Sequence, residues 1–367
     1  AAAAARIEAP RLPPAQILGI GVRGEVALDH LKLVSLGLQC WSDDTADGAR
    51  VLFADPDTLA VTVLERSWPR DGATAPTPVL QRRVAGQSLR QLAAAQVVTR
   101  GAKRRANGVV DIASPARQTS VLPLSPTAWD GLAAPLRQPG GAALARHLRE
   151  SVPDFVQPRQ AIAHVHVLPV AEVGPWGWDA AAQTLRAQLR CGEAASERAD
   201  DWIEVMLPHE PAAPGTIDAF GALLADGDDP PRLVAGPVRL HAGTVRMQPL
   251  AVLTARRAVV LQASAATAQT LPPWSGAGGS DGLVRALDAL VEDLALWARQ
   301  GLRHQPASAM ARVAAHAESL ERRGLVRTAA LLREVSGGWR DSGEGFVAPL
   351  TALVLVLRGL LGGEAPA

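Results

Sequence analysis

Residues 258–301 read AVVLQASAATAQTLPPWSGAGGSDGLVRALDALVEDLALWARQG, and this stretch decides the fold class. Its first part, Ala258–Gln262, is a short β-branched, apolar run of strand type. Its middle, Pro272–Gly282, holds Pro, Gly and Ser without periodicity and reads as a linker. Beyond it Leu283, Leu287, Leu290, Leu294 and Trp297 recur every three or four residues, which places them on one face of a helix ending at Gly301. Met310, Val313, Ala317 and Leu320 repeat the pattern up to Gly324, and Leu325–Val335 and Phe346–Leu361 add two more helices. Glycine at helix ends and short connections predict an antiparallel helical module over 283–363.

Upstream the period is two. Ala49–Ala54 and Leu59–Arg66 flank the turn Asp55-Pro56-Asp57-Thr58 and read as a β-hairpin. Leu89, Leu92, Ala93 and Val97 form a stripe that predicts a helix over 88–105, and Asn107-Gly108 turns the chain into Val109–Ile112. Gly140–Ser151 reads as a helix stopped by Pro153. Ile162–Leu168, Thr184–Cys191, Trp202–Leu207, Leu233–Leu240 and Thr244–Leu250 read as strands, and Thr216 as the cap of a helix reaching Leu224. The expectation is an α+β chain: a β-rich domain over 1–135 with helix 88–105, a second α+β region over 136–271, the linker 272–282 and the helical module.

The composition excludes several classes. The 367 residues carry 37 Lys+Arg against 36 Asp+Glu, and 48% are hydrophobic, so the chain is neither disordered nor a polyanion-coating tail. Lysine occurs only at Lys32 and Lys103, Asn only at Asn107, and Tyr not at all, a bias expected of a GC-rich genome. Two cysteines, Cys40 and Cys191, make no disulfide framework and no paired-Cys zinc site. Ala1–Pro14 lacks the apolar core of a signal peptide, and Phe346–Leu361 carries Arg358 and falls short of the ~20 residues of a membrane span. The expectation is a cytoplasmic protein with no membrane span and no cofactor.

Four constellations carry candidate chemistry. Gly19, Gly21 and Gly24 fit G-x-G-x-x-G, with Asp43 placed for a ribose hydroxyl; against a dinucleotide site stand a poor preceding strand and a following hairpin. His164 and His166 sit two residues apart on an expected strand, about 6.6–7 Å, within reach of one metal ion, with Cys191 or His209 as further ligands. The run Arg100, Lys103, Arg104, Arg105 is the nucleic-acid candidate, although a helix end also favours cations. Leu353, Val354, Leu357 and Leu361 on the terminal helix form an apolar stripe that a partner could cover. Nine Trp beside four Phe supply large rings for a core or a binding face, and Trp176 and Trp178 share a strand face. The chain holds no G-x-S-x-G, Walker A or kinase motif.

The segment Arg232-Leu-Val-Ala-Gly236-Pro-Val-Arg-Leu240, with Gly243 and Pro249-Leu250, then Leu294–Leu302 and Glu321-Arg-Arg-Gly324-Leu325, resembles parts of bacterial proteins that accompany SWIM zinc-finger, MoxR-type ATPase and von Willebrand A proteins. A SWIM finger needs C-x-C and a later C-x-H, which this chain lacks, so no zinc function follows. The resemblance implies a subunit at work among other proteins, beside an ATPase. The expected function is therefore a non-enzymatic interaction subunit of a bacterial multi-protein complex. The alternatives are a nucleic-acid-contacting component and a nucleotide- or metal-dependent enzyme.

Overall fold

A computed structural model describes residues 25–28, 30–70, 78–105, 107–112, 119–150, 162–192, 201–241, 244–267, 269–275, 282–300, 307–338 and 347–362. The fold is α+β, with β-rich N-terminal and central regions followed by helices. It divides into two compact units. One holds nearly all of residues 2–276, the other the C-terminal helices.

In the β unit the strands in chain order are β1 (Glu25–Leu28), β2 (Leu31–Ser42), β3 (Ala46–Ala54), β4 (Val61–Pro69), the two-residue β5 (Arg83–Val84) and β6 (Gln87–Ser88), β7 (Ala95–Thr99), β8 (Ala102–Arg105), β9 (Val110–Ile112) and β10 (Thr119–Pro123). Helix α1 (Leu89–Ala93) lies between β6 and β7. Its N-terminus is a capping box, in which Ser88 accepts from the Gln91 N–H and Gln91 accepts from the Ser88 N–H.

These strands make one circuit. β1 and β2 lie in one register against β8 and β7, since Leu28 opposes Ala102 and Leu31 opposes Thr99. The far end of β2 then pairs with β3, and β3 with β4. β4 meets β9 in parallel at Val63 and Val109, where the Val63 N–H donates to the Gly108 carbonyl at 3.0 Å. β9 pairs back onto β8 and closes the loop. The interior is apolar, with Leu33, Leu36, Leu38, Val51, Phe53 and Val97 buried, each burial stabilising the fold by about 1.5–3 kcal/mol.

The central region repeats that circuit. Its strands are β11 (Val165–Asp179), β12 (Thr184–Cys191), β13 (Trp202–Pro208), β14 (Leu233–His241) and β15 (Thr244–Met247), with α2 (Gly141–Glu150) before them and α3 (Gly215–Ala225) between β13 and β14. The first half of the long β11 pairs with β14 and the second half with β12. β12 pairs with β13, β13 runs parallel to β15, and β15 neighbours β14. The order β11-β12-β13-β15-β14-β11 is a closed five-stranded Greek-key barrel of OB type. The first circuit has the same order, the same parallel contact between third and fifth strands, and a helix in the same place. Two OB-type circuits therefore stand in tandem within this unit. β16 (Ala251–Leu253) and β17 (Ala258–Val260) extend β14, and Gln262 reaches back to accept from the Cys40 N–H at 2.5 Å.

The helical unit contains α4 (Gly282–Gln300), α5 (Ala307–Arg322), α6 (Val326–Gly338) and α7 (Val347–Gly362). Leu287, Leu290, Leu294, Trp297, Val313, Ala317, Leu320, Leu332 and Leu353 fill its core, so the 3.6-residue stripes face one another as expected.

Two local expectations are corrected. The helix over 88–105 is five residues long, and the rest is two strands. Val97, Val98 and Thr99 are β-branched, and burial alternates through β7 where the ladder to β2 forms. Thr216 does not cap its helix; its hydroxyl donates to the Ala213 carbonyl at 2.6 Å, and Pro214 holds the cap position. The start of the expected linker is paired backbone, because the Trp178 N–H donates to Pro272 and the Trp274 N–H to Trp178.

Candidate functional site

Gly19, Gly21 and Gly24 lie outside the described residues. Asp43 is a turn residue, accepting from the N–H groups of Thr45 and Ala46 at 2.8 Å and from the Thr45 hydroxyl at 2.7 Å, bonds that lower its pKa. Asp47 nearby is buried against Arg70 at 2.9 Å and Arg82 at 3.4 Å.

The two histidines do not share a strand face. His164 precedes β11 with φ of 54°, a left-handed backbone that turns it out of the strand register. His166 is buried, with Nδ1 3.0 Å from the Pro135 carbonyl, so Nδ1–H donates, and the His147 ring stands edge-on at 5.3 Å. Burial pushes the His166 pKa down to about 4, outweighing the Pro135 bond that raises it. Cys191 opposes Val170 in the second core, its pKa raised by burial, while His209 sits beyond the other end of β12. Among the described residues no group of three or more His, Cys, Asp or Glu could hold a metal ion.

The basic run lies around a β-hairpin rather than at a helix end. Arg100 is in the bend between β7 and β8, and Lys103, Arg104 and Arg105 lie on β8. Lys103 stands opposite Asp111, and Arg105 binds it at 2.9 Å. On α7, Leu353 and Leu357 are core residues, Leu361 packs against that core, and Val354 is half-buried. The stripe at 3.6-residue spacing closes the module, and it is Val347, Leu355, Val356 and Leu360 that are exposed.

A different surface collects the polar and aromatic side chains. Alternation along β12 and β13 sends Leu185, Ala187, Leu189, Ile203, Val205 and Leu207 into the second core. The intervening Arg186, Gln188, Arg190, Trp202, Glu204 and Met206 are left on the outer face. Register sets Arg190 opposite Trp202, and Glu204 opposite both Gln188 and Arg246. Glu204 holds Arg246 at 2.6 Å and Arg186 at 3.3 Å, Asp179 lies 3.6 Å from Arg186, and Glu172 holds Arg190 at 2.9 Å. The Trp202 ring lies on Gly174, where an added Cβ would come within 2.6 Å of it. The strip Pro272–Trp274 lies on Gly177 and places the Trp274 ring 5.8 Å from the Arg186 guanidinium. A cleft of about 300 Å³ opens beside this face, lined by Thr184, Met206, Pro208, Arg239, Arg246 and Gln248 among others.

Trp176 and Trp178 stand opposite Ala187 and Leu185 and pack against the barrel core. The two rings on the outer face, Trp202 and Trp274, were not singled out by sequence. The signal present was the alternation of Arg and Trp along 186–190 and 202–206, which needs the strand register to become a surface.

The fold and this face define an OB-type barrel, and in such barrels the outer face of the second and third strands takes oligonucleotides or oligosaccharides. Residues 162–281 match the family model described as the YehQ C-terminal OB-fold domain. Protein YehQ of Escherichia coli (strain K12) is 40% identical over 268 residues, which are 73% of this chain and 43% of that protein. The chain thus spans less than half the length of this relative. Among solved structures, the Ifi202 HINa domain in complex with 20-bp double-stranded DNA aligns at 7% identity and a TM-score of 0.25, covering 61% of this chain and 94% of that one. A structure described as "Structural mimicry for functional antagonism" aligns at 8% identity and a TM-score of 0.22, covering 64% and 95%. Similarity that low carries no argument about this chain. Among the described residues no helix is long and apolar enough to cross a membrane.

Proposed function

We propose that this chain binds single-stranded nucleic acid, and that the outer face of β12, β13 and β15 is the binding surface. The observation that supports it most is the juxtaposition of Trp202 and Trp274 with Arg186, Arg190 and Arg246 on that face of an OB-type barrel. Indole faces stack on any base, and guanidinium groups contact the phosphates between bases. A sugar ligand would stack equally well but would not call for three arginines.

The test is fluorescence anisotropy of a labelled oligothymidylate of about 30 nucleotides, long enough for several OB sites. Binding is expected, with log K falling against log salt at a slope of about −2 if three arginines meet phosphates. Trp202→Ala and Arg190→Ala should each weaken binding. No binding at low salt, or binding indifferent to both variants, would refute the reading.

A second reading is favoured by the exposed Val347, Leu355, Val356 and Leu360 on α7. In it the helical module docks another protein, and the chain serves as an interaction subunit of a multi-protein system. The resemblance to proteins that accompany MoxR-type ATPases supports the same view. Both readings hold together if one unit contacts nucleic acid and the other a protein. Retention of a partner on the intact chain, lost on Leu355→Asp, would support it, and a clean monomer with no retained partner would count against it.

A further inference from the structure

The first barrel carries a surface built like that of the second. β2, β3 and β4 correspond in the circuit to β11, β12 and β13, and their outer face bears Trp41, Gly48, Arg50 and Glu65. Trp41 stands opposite Gly48, and a Cβ there would lie 2.0 Å from the indole, so the ring rests directly on the β3 backbone. Arg50, two residues along the same face, has its guanidinium 4.9 Å from the Trp41 ring centroid. Glu65, opposite Arg50 on β4, binds it through two bonds of 2.7 and 3.4 Å. The ring, the arginine and the carboxylate are each only partly buried.

The second barrel uses the same four residue types. There Trp202 lies on Gly174, Arg190 stands beside it in register, and Glu172 binds Arg190. The chain order differs, because the tryptophan comes from the first strand in one barrel and from the third in the other. Glycine inside a strand weakens it, and a common reason for its presence is close approach of a ring, a backbone or a ligand. In both barrels the missing Cβ lets an indole lie against the strand, and a carboxylate holds the neighbouring arginine; on the first barrel that guanidinium lies over the Trp41 ring.

We propose that Trp41 and Arg50 form a second site for single-stranded nucleic acid, with a base stacked at the indole and its phosphate at the guanidinium. This rests on the reading above that the second barrel binds such a strand. The chain then holds one strand segment on each barrel.

The experiment is titration calorimetry of the full chain with a short oligothymidylate of about six nucleotides, near the lower site size of one OB fold. Two equivalents per chain are expected. Trp41→Leu should leave one, and so should Arg50→Ala, a milder change that decides the matter if the first variant melts early. Trp202→Leu should remove the other equivalent. With the longer oligothymidylate, Trp41→Leu should weaken binding about 5- to 150-fold, the range for losing one stacked base. One equivalent in the wild type, unchanged by Trp41→Leu and Arg50→Ala but abolished by Trp202→Leu, overturns this second site and leaves the first standing. No binding by the wild type overturns the function proposed for the second barrel as well.

Discussion

Acidification from pH 7 to pH 5 should cost this protein about 2 kcal/mol through His166 alone. In the fold its pKa is held down at about 4, mainly by burial, against an ordinary value of 6.5. Between those values the unfolded chain binds a proton that the native chain refuses. Stability is therefore whole above about pH 6.5 and drains away as the pH falls toward 4. The full difference is about 3 kcal/mol, of which about 2 falls between pH 7 and pH 5. The structural cause is first the burial of the ring and then the neighbouring His147, edge-on beside it, which together outweigh the opposing bond from Nδ1–H to Pro135. Urea unfolding at several pH values, in parallel on wild type and His166→Phe, isolates this residue from His147 and His164. The variant loses the Pro135 hydrogen bond at every pH but should show a much flatter pH dependence. Equal slopes for the two proteins would refute the assignment.

Gly236→Ala should lower stability by about 3 kcal/mol, because the added Cβ would lie 2.0 Å from the Gln248 carbonyl oxygen, and backbone cannot yield as a side chain does. Thermal melts monitored by circular dichroism check it. Leu353→Ala should cost about 2–5 kcal/mol, since that residue is fully buried, whereas Leu355→Ala, 56% exposed and two positions away, should change stability by less than about 0.5 kcal/mol. Chemical denaturation of the pair would show whether α7 presents the face described.

The helices of the C-terminal unit were legible because their signal is local. A stripe from Leu283 to Trp297 is complete within one element, whatever it packs against. The strands were legible for the same reason, and the hairpin across Asp55–Thr58 forms where the turn residues stand, with Asp55 accepting from Asp57 and Thr58. What could not be read was pairing between strands far apart. Nothing in 25–34 announces that it will lie against 96–105, yet that ladder makes the first circuit. The error over 88–105 has the same origin. Val97 fits the helical stripe with Leu89, Leu92 and Ala93, and it is the partners β2 and β10, on either side of β7, that draw it into a sheet. The site suffered most, since Arg190 and Trp202 meet across a strand pair, and Trp274 arrives on Arg186 from beyond β17.

The balance of charge on the proposed surface leads to a last prediction. Arg186 and Arg246 both lean on Glu204, so a phosphate approaching them must share or displace that carboxylate. If Glu204 only neutralises the arginines, Glu204→Gln should remove one neutralising charge from both, with Asp179 still 3.6 Å from Arg186. A partly exposed ion pair is worth up to about 1 kcal/mol, so oligothymidylate binding at low salt should tighten about fivefold. The salt slope should also steepen, because more counterion-neutralising charge meets the strand. If instead Glu204 orients the guanidinium groups, as Glu65 orients Arg50 on the first barrel, the same change should weaken binding. Anisotropy at several salt concentrations separates the two cases. Glutamine keeps the length and a hydrogen-bonding oxygen, and circular dichroism of the variant checks that the fold is retained. Tighter binding with a steeper slope is the expected result, and weaker binding would refute the view that this face is held neutral by its carboxylate.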